Sequence, residues 1–138
     1  MATVLVYATD PVVRDQVELA IGRSPAAGVE ELSYVATDSA AQVVSMVDDG
    51  LADLLIFDGE AWPNGGLGLC RQLKNEVSDC PPAIVLIGRR DDRWLGQWSQ
   101  AEAVVMHPID AIELARTAVR LMTTPLAATA ATIEERTS

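Results

Sequence analysis

At 138 residues and 49% hydrophobic content, the chain is long enough to build one packed domain and short for two. Twenty acidic residues against ten basic ones give a formal charge of −10, a field that repels nucleic-acid phosphates and anionic membrane surfaces and argues against nucleic acid as a partner. No run approaches the roughly 20 apolar residues of a membrane span and no secretory signal opens the chain, so no direct membrane insertion is expected and the location read from sequence is cytoplasmic. Cys70 and Cys80 fit a reduced compartment, in which both stay free.

Taken in order, Thr3–Tyr7 is a short apolar run of strand character, and Asp10-Pro11 follows as N-cap and first-turn proline of a helix. That helix turns Val13, Val17, Ala20 and Ile21 inward and stops near Gly22, a residue that tolerates the left-handed turn. Leu32–Ala36 reads as a second strand. Asp38 is the predicted cap of a second helix with Ala41, Val44 and Val47 inward, ending near Asp49-Gly50. Leu54–Phe57 is a third strand, closed by Asp58. A loop with Trp62, Pro63, Asn64, Gly65 and Gly66 leads to a helix bearing Leu69, Leu73 and Val77, which Pro81-Pro82 terminates. Ala83–Ile87 is the fourth strand. Gly88-Arg89-Arg90-Asp91 enters a short helix with Trp94 and Trp98, of which at least one is expected in the core. Ala103–Met106 is the fifth strand, and Asp110 caps a last helix through Leu114, Ala118 and Leu121. Residues 1–122 form the predicted domain, and 123–138, rich in threonine and alanine without a sustained apolar face, a flexible tail.

Five near-continuously apolar strands alternating with five helices predict an α/β fold, a five-stranded parallel sheet doubly wound in the flavodoxin-like manner. In such sheets ligands gather at the carboxyl ends of the strands. That edge collects Ala8, Thr9, Asp10, Asp58, Glu60, Ile87, Gly88, Arg89 and His107-Pro108.

At these positions the chain resembles the receiver domain of two-component response regulators, a (βα)5 fold, from about Thr3 to Met122. Leu5-Val6-Tyr7-Ala8-Thr9-Asp10-Pro11 looks like the family's first strand with its acidic turn. Asp58, followed at eight residues by Gly66, looks like the phosphoacceptor and its downstream glycine. Ala83–Gly88 resembles the switch strand, and His107-Pro108 stands where receivers carry lysine then proline, joined by a bond that is usually cis. The resemblance implies two magnesium-binding acids, an acceptor aspartate, a hydroxyl residue and a lysine. Those positions fall on Ala8, Thr9, Asp58, Ile87 and His107, so only the acceptor is kept. Pro63 also lies one residue later than is usual.

The chemistry agrees with that deficit. Magnesium prefers six near-octahedral oxygens including one or two carboxylates, and phosphoryl transfer needs its developing charge neutralised. Ala8 cannot ligate, neutral Thr9 contributes little, and Ile87 has no hydroxyl. The expectation is a pseudo-receiver with a degenerate phosphoacceptor, no bound metal, no cofactor and no catalytic residue.

Each residue also has a plainer role. Asp58 can serve as an acceptor for loop amides, and Asp10 is better explained as a helix cap. His107, the only histidine, can be an ordinary polar residue beside a proline turn, or its imidazole can pair with Asp58 and carry a charge that changes near neutrality. Arg89 and Arg90 read as solvated charge, with the alternative that Arg89 folds over the degenerate pocket onto Asp58 or Glu60. Trp62, Trp94 and Trp98 are candidates for partner binding, because tryptophan is enriched among interface hot spots.

Three functions compete. The leading one is a stand-alone protein-binding module, with nothing after Met122 to act as an output domain: a regulator, adaptor or accessory subunit of a multisubunit complex. The chain looks most like orphan receiver-like proteins of actinobacteria, some associated with the respiratory NADH dehydrogenase, which makes that complex a candidate partner by resemblance only. The second is a working response regulator phosphorylated at Asp58 by a histidine kinase. The third, an enzyme or nucleotide binder, lacks a glycine-rich phosphate loop after the first strand, where the chain has Ala8-Thr9-Asp10-Pro11-Val12, and lacks a nucleophile beside His107. An enzyme is not expected.

Overall fold

The computed structural model describes residues 1–60, 65–89 and 92–123. Five strands alternate with five helices along the chain: β1 (Ala2–Tyr7), α1 (Pro11–Ile21), β2 (Leu32–Thr37), α2 (Ala40–Asp48), β3 (Leu54–Asp58), α3 (Gly66–Glu76), β4 (Ala83–Ile87), α4 (Arg93–Trp98), β5 (Ala103–Met106) and α5 (Ala111–Thr123). The strands form one sheet in the order β2-β1-β3-β4-β5, and each neighbouring pair is parallel. The predicted doubly wound α/β fold is the one observed, with α5 reaching Thr123. The predicted tail beyond it, residues 124–138, lies outside the described residues, as do Trp62, Pro63 and Arg90.

Side chains of a strand alternate between faces, so each apolar strand feeds two cores. On one face Val4, Val6, Ile56 and Leu86 pack with Val13 and Val17 of α1 and Leu114 and Ala118 of α5. On the other, Leu5, Tyr7, Phe57 and Val85 pack with Val43 and Val47 of α2 and Leu69 and Leu73 of α3. Burial on both faces is why the strands read as continuous hydrophobic runs rather than alternating ones.

Helix ends follow local chemistry. Asp10 accepts a hydrogen bond from the Val12 amide at 2.9 Å with Pro11 behind it, Gly22 closes α1 at φ 75°, and Asp110 accepts from the Ile112 and Glu113 amides at 2.9 and 3.1 Å. Helix α2 departs from expectation. Its cap is Ser39, whose Oγ accepts from the Gln42 amide at 3.2 Å, and not Asp38. The buried Thr37 hydroxyl accepts from the Ser39 amide and donates to Gln42 Oε1, which leaves Asp38 exposed. The helix therefore turns Val43 and Val47 inward, while Ala41 is exposed and Val44 only half-buried.

Both cysteines are free. Burial pushes the Cys70 thiol up to about 12, so it behaves as a small hydrophobe and not as a nucleophile. Burial likewise raises the Tyr34 hydroxyl from 10.0 to about 12, with the negative charge of Glu18 adding to the shift. Tyr34 donates to the Gly22 carbonyl at 2.6 Å, tying the edge strand β2 to the end of α1. A raised folded value means that the folded chain holds this proton more tightly than the unfolded one. The stabilisation is complete below pH about 10 and drains away as pH rises through about 12. Denaturant melts across that window should show a loss of stability that Tyr34→Phe reduces; an unchanged alkaline slope in the variant would refute it.

Candidate functional site

The carboxyl edge of the sheet is held together by the backbone. The Gly59 amide donates to the Leu86 carbonyl at 2.8 Å, the His107 amide to the Ile87 carbonyl at 2.8 Å, and the Ala8 amide to the Thr37 carbonyl at 3.1 Å. Asp58 therefore ends the central strand between β1 and β4, with 3% of its surface exposed. Its Oδ1 accepts from the Glu60 amide at 3.0 Å and lies 3.3 Å from His107 Nε2. A buried carboxylate is costly unless its oxygens find donors, and here one oxygen is shared between a backbone amide and an imidazole. The sequence expectation that His107 pairs with Asp58 thus corresponds to a contact between β3 and the turn after β5, 49 residues apart. The His107-Pro108 bond is cis.

Two glycines let the chain close around this carboxylate. A Cβ at Gly66 would run into the Asp58 carbonyl and lie 3.0 Å from Phe57 Cβ, and one at Gly59 would lie 2.7 Å from the Leu86 carbonyl. Helix α3 starts where it does because Gly66 has no side chain to hold it off β3. Glu60 is exposed and its carboxylate lies against Gly88, where a Cβ would meet Oε1 at 2.7 Å.

The remaining pocket residues take up the places their chemistry allows. Ala8 is fully buried in the core on the α1 and α5 side, and Ile87 is 1% exposed at the end of β4. Thr9 is half-buried; Asp10 is exposed and caps α1; Gly88 and Pro108 are exposed. Arg89 is exposed and pairs with neither Asp58 nor Glu60, so the alternative that it folds over the pocket is not what the structure contains. An exposed guanidinium keeps its hydration there, and a surface ion pair would add little in exchange.

The donor set does not fit magnesium. At the two positions after β1 an apolar side chain is buried and a neutral hydroxyl residue follows, while the buried Asp58 carboxylate already has hydrogen-bonding partners on Oδ1. Among the described residues no three histidine, cysteine, aspartate or glutamate side chains converge to hold a metal ion.

Helix α4 corrects one expectation. Trp94 is 63% and Trp98 42% exposed, so neither enters the core. The inner face of α4 carries Gly96, where a Cβ would meet Val104 Cγ2 at 2.5 Å, and the buried Ser99 follows, its hydroxyl donating to the Gly96 carbonyl. The helix lies too close to β5 for an indole to fit beneath it. Arg71 of α3 stacks 4.7 Å over the Trp98 ring and donates to its carbonyl at 2.6 Å, a contact that sequence reading missed. The glycine inside a short helical pattern was the available signal, because such a residue costs about 1 kcal/mol relative to alanine and marks close packing.

An aspartate at the carboxyl end of the central strand of a doubly wound five-stranded parallel sheet is the arrangement that the resemblance to receiver domains implies. The solved structures agree on the fold: a receiver domain from a Francisella response regulator superposes with a TM-score of 0.73 at 14% identity, covering 88% of this chain and 97% of that one. The receiver domain of NtrX from Brucella abortus gives 0.72 at 17% identity, covering 88% and 99%. No protein-family model matches the chain. An uncharacterized response regulatory protein of Mycobacterium tuberculosis is 44% identical over 122 residues, 88% of this chain and 92% of the relative. The chain belongs to the response regulator family.

Proposed function

We propose that this chain is a pseudo-receiver of actinobacterial type that acts by binding a protein, as a regulator, adaptor or accessory subunit, without magnesium-dependent phosphoryl transfer and without catalysis of its own. The observation that carries the reading is the state of Asp58: its Oδ1 faces an imidazole and an amide at 3.3 and 3.0 Å, beside an alanine, a threonine and an isoleucine where the family's resemblance calls for two acids and a hydroxyl. A metal ion at Oδ1 would compete with His107 and gains no second carboxylate from β1. Trp94 and Trp98, exposed on α4, supply apolar area for a partner. The charge of −10 disfavours nucleic acid. Among the described residues no helix is long and apolar enough to cross a membrane, which is compatible with the cytoplasmic location read from sequence. By resemblance alone, the respiratory NADH dehydrogenase is a candidate for the complex.

The second reading, a response regulator phosphorylated at Asp58 by a histidine kinase, is favoured by the retained aspartate itself. One experiment separates the two. Incubation with acetyl phosphate and magnesium, followed by intact mass spectrometry, is expected to leave the chain unmodified, and beryllofluoride with magnesium is expected to leave its thermal midpoint unchanged. A phosphoryl adduct that Asp58→Asn abolishes would establish the second reading instead.

A further inference from the structure

The end of the sheet opposite Asp58 carries a cleft of about 650 Å³. It opens where β1, β3 and β4 begin, lined there by Ala2, Asp53 and Pro82, and its other walls are the loop at Val29 and Glu30 and the last residues of α5. Val29, Leu121 and Met122 pack against the core yet stay half-buried, and Pro82 is half-buried as well. The two acids at the cleft already have partners. Glu30 Oε2 lies 3.3 Å from the amino terminus, and Asp53 Oδ2 accepts from the Thr3 amide at 2.8 Å. What remains to be covered is apolar area. Thr123, where α5 ends, itself lines the cleft, and the sequence continues Thr-Pro-Leu-Ala-Ala-Thr-Ala-Ala-Thr-Ile over residues 124–133, with no charge before Glu134.

We propose that the chain's own segment 124–133 folds back into this cleft with Leu126 seated against Val29 and Met122, an intramolecular cover for the amino-terminal end of the sheet. Three residues of extended chain reach about 10 Å, and Leu126 starts from the cleft wall. Pro125 has no amide hydrogen to continue the helical ladder and disfavours helical geometry at Thr124, so α5 is not carried past the opening. Charge agrees with this occupant. An uncharged segment enters beside Glu30 and Asp53 without repulsion, whereas Glu134 and Glu135 are kept outside. A segment tethered this closely has an effective concentration of about millimolar, so contacts too weak to hold a separate peptide suffice. The tail expected from the sequence then has two parts, a seated apolar start and a solvated charged end. The inference goes beyond the proposed function and is independent of Asp58, which lies at the other end of the strands.

The test uses the full chain in a Cys80→Ser background and compares two cysteine pairs under mild oxidation by diamide: Val29→Cys with Leu126→Cys, and Leu19→Cys with Leu126→Cys. Leu19 is 85% exposed on α1, so its thiol is the more accessible to an unseated tail. The disulfide within one chain is expected to form about tenfold faster with Val29→Cys, at a rate independent of protein concentration. With the native cysteines in place, Leu126→Asp is expected to speed hydrogen exchange about tenfold at the Val29 amide, which donates to the Ala26 carbonyl at 3.3 Å. An equal or faster rate for the Leu19 pair would overturn the proposal, as would Val29 exchange that Leu126→Asp leaves unchanged. A disulfide joining two copies as the main product would also overturn it, placing a second copy's segment in the cleft instead.

Discussion

Phe57→Ala should lower the unfolding free energy by about 3–5 kcal/mol, a large share of the roughly 5–15 kcal/mol available to a domain of this size. Phe57 is 1% exposed in the core beneath α2 and α3, and it meets Tyr7 edge to face with centroids 6.4 Å apart and rings at 61°. Truncation removes the buried area, the quadrupolar contact worth about 0.5–1.5 kcal/mol beyond it, and leaves a cavity between β-branched and leucine neighbours that cannot close without moving a strand. The effect should extend to the site, since the next residue is Asp58 and its carboxylate is aimed by the strand. Equilibrium urea denaturation measures the loss. A shift under about 1 kcal/mol would mean that the sheet relaxes into the space, contrary to the packing described.

Gly66→Ala should be destabilising by about 1–3 kcal/mol even though alanine is the better helix former by about 1 kcal/mol. The new Cβ would collide with the Asp58 carbonyl and crowd Phe57 Cβ at 3.0 Å, and a backbone atom inside a parallel sheet cannot step aside as a flexible side chain can. Helix α3 must then lift from β3. Gly68→Ala, one residue beyond the next, is the control: a Cβ there meets nothing within 4 Å, so propensity alone should make it neutral or slightly stabilising. Thermal midpoints moving in opposite directions for the two variants would support the close approach; equal shifts would sink it.

Much of this architecture was legible because the strands carry their own signature. Leu54–Phe57 and Ala83–Ile87 are buried on both faces, so every residue is apolar; the second run spans all of β4, and the first spans β3 up to its last residue, Asp58. Asp10-Pro11, Gly22 and Asp110 marked helix ends for reasons confined to a few adjacent atoms. Asp38 and Ser39 are both good caps, and the buried Thr37 hydroxyl, bonded to the Ser39 amide and to Gln42, decides between them; its burial is what the local sequence does not announce. The partnership of His107 with Asp58 was reachable because the order of elements already brings the ends of β3 and β5 to one edge. The outward tryptophans were not: their exposure depends on how near α4 comes to Val104, and the stacking of Arg71 on Trp98 spans 27 residues with no periodicity to announce it.

Lys74 is the chain's only lysine, and its side chain is 10% exposed, with Nζ held by Glu102 and the Pro81 carbonyl at 2.5 and 2.8 Å. Glu102 in turn accepts from the Ala83 amide at 2.6 Å, so freeing the lysine would also loosen the entry to β4. Reagents that seek primary amines therefore meet a lysine that is largely buried and already held by a carboxylate and a carbonyl. Amine cross-linking would be silent about whatever lies on α4, and a map of that contact calls for carboxyl- or arginine-directed chemistry.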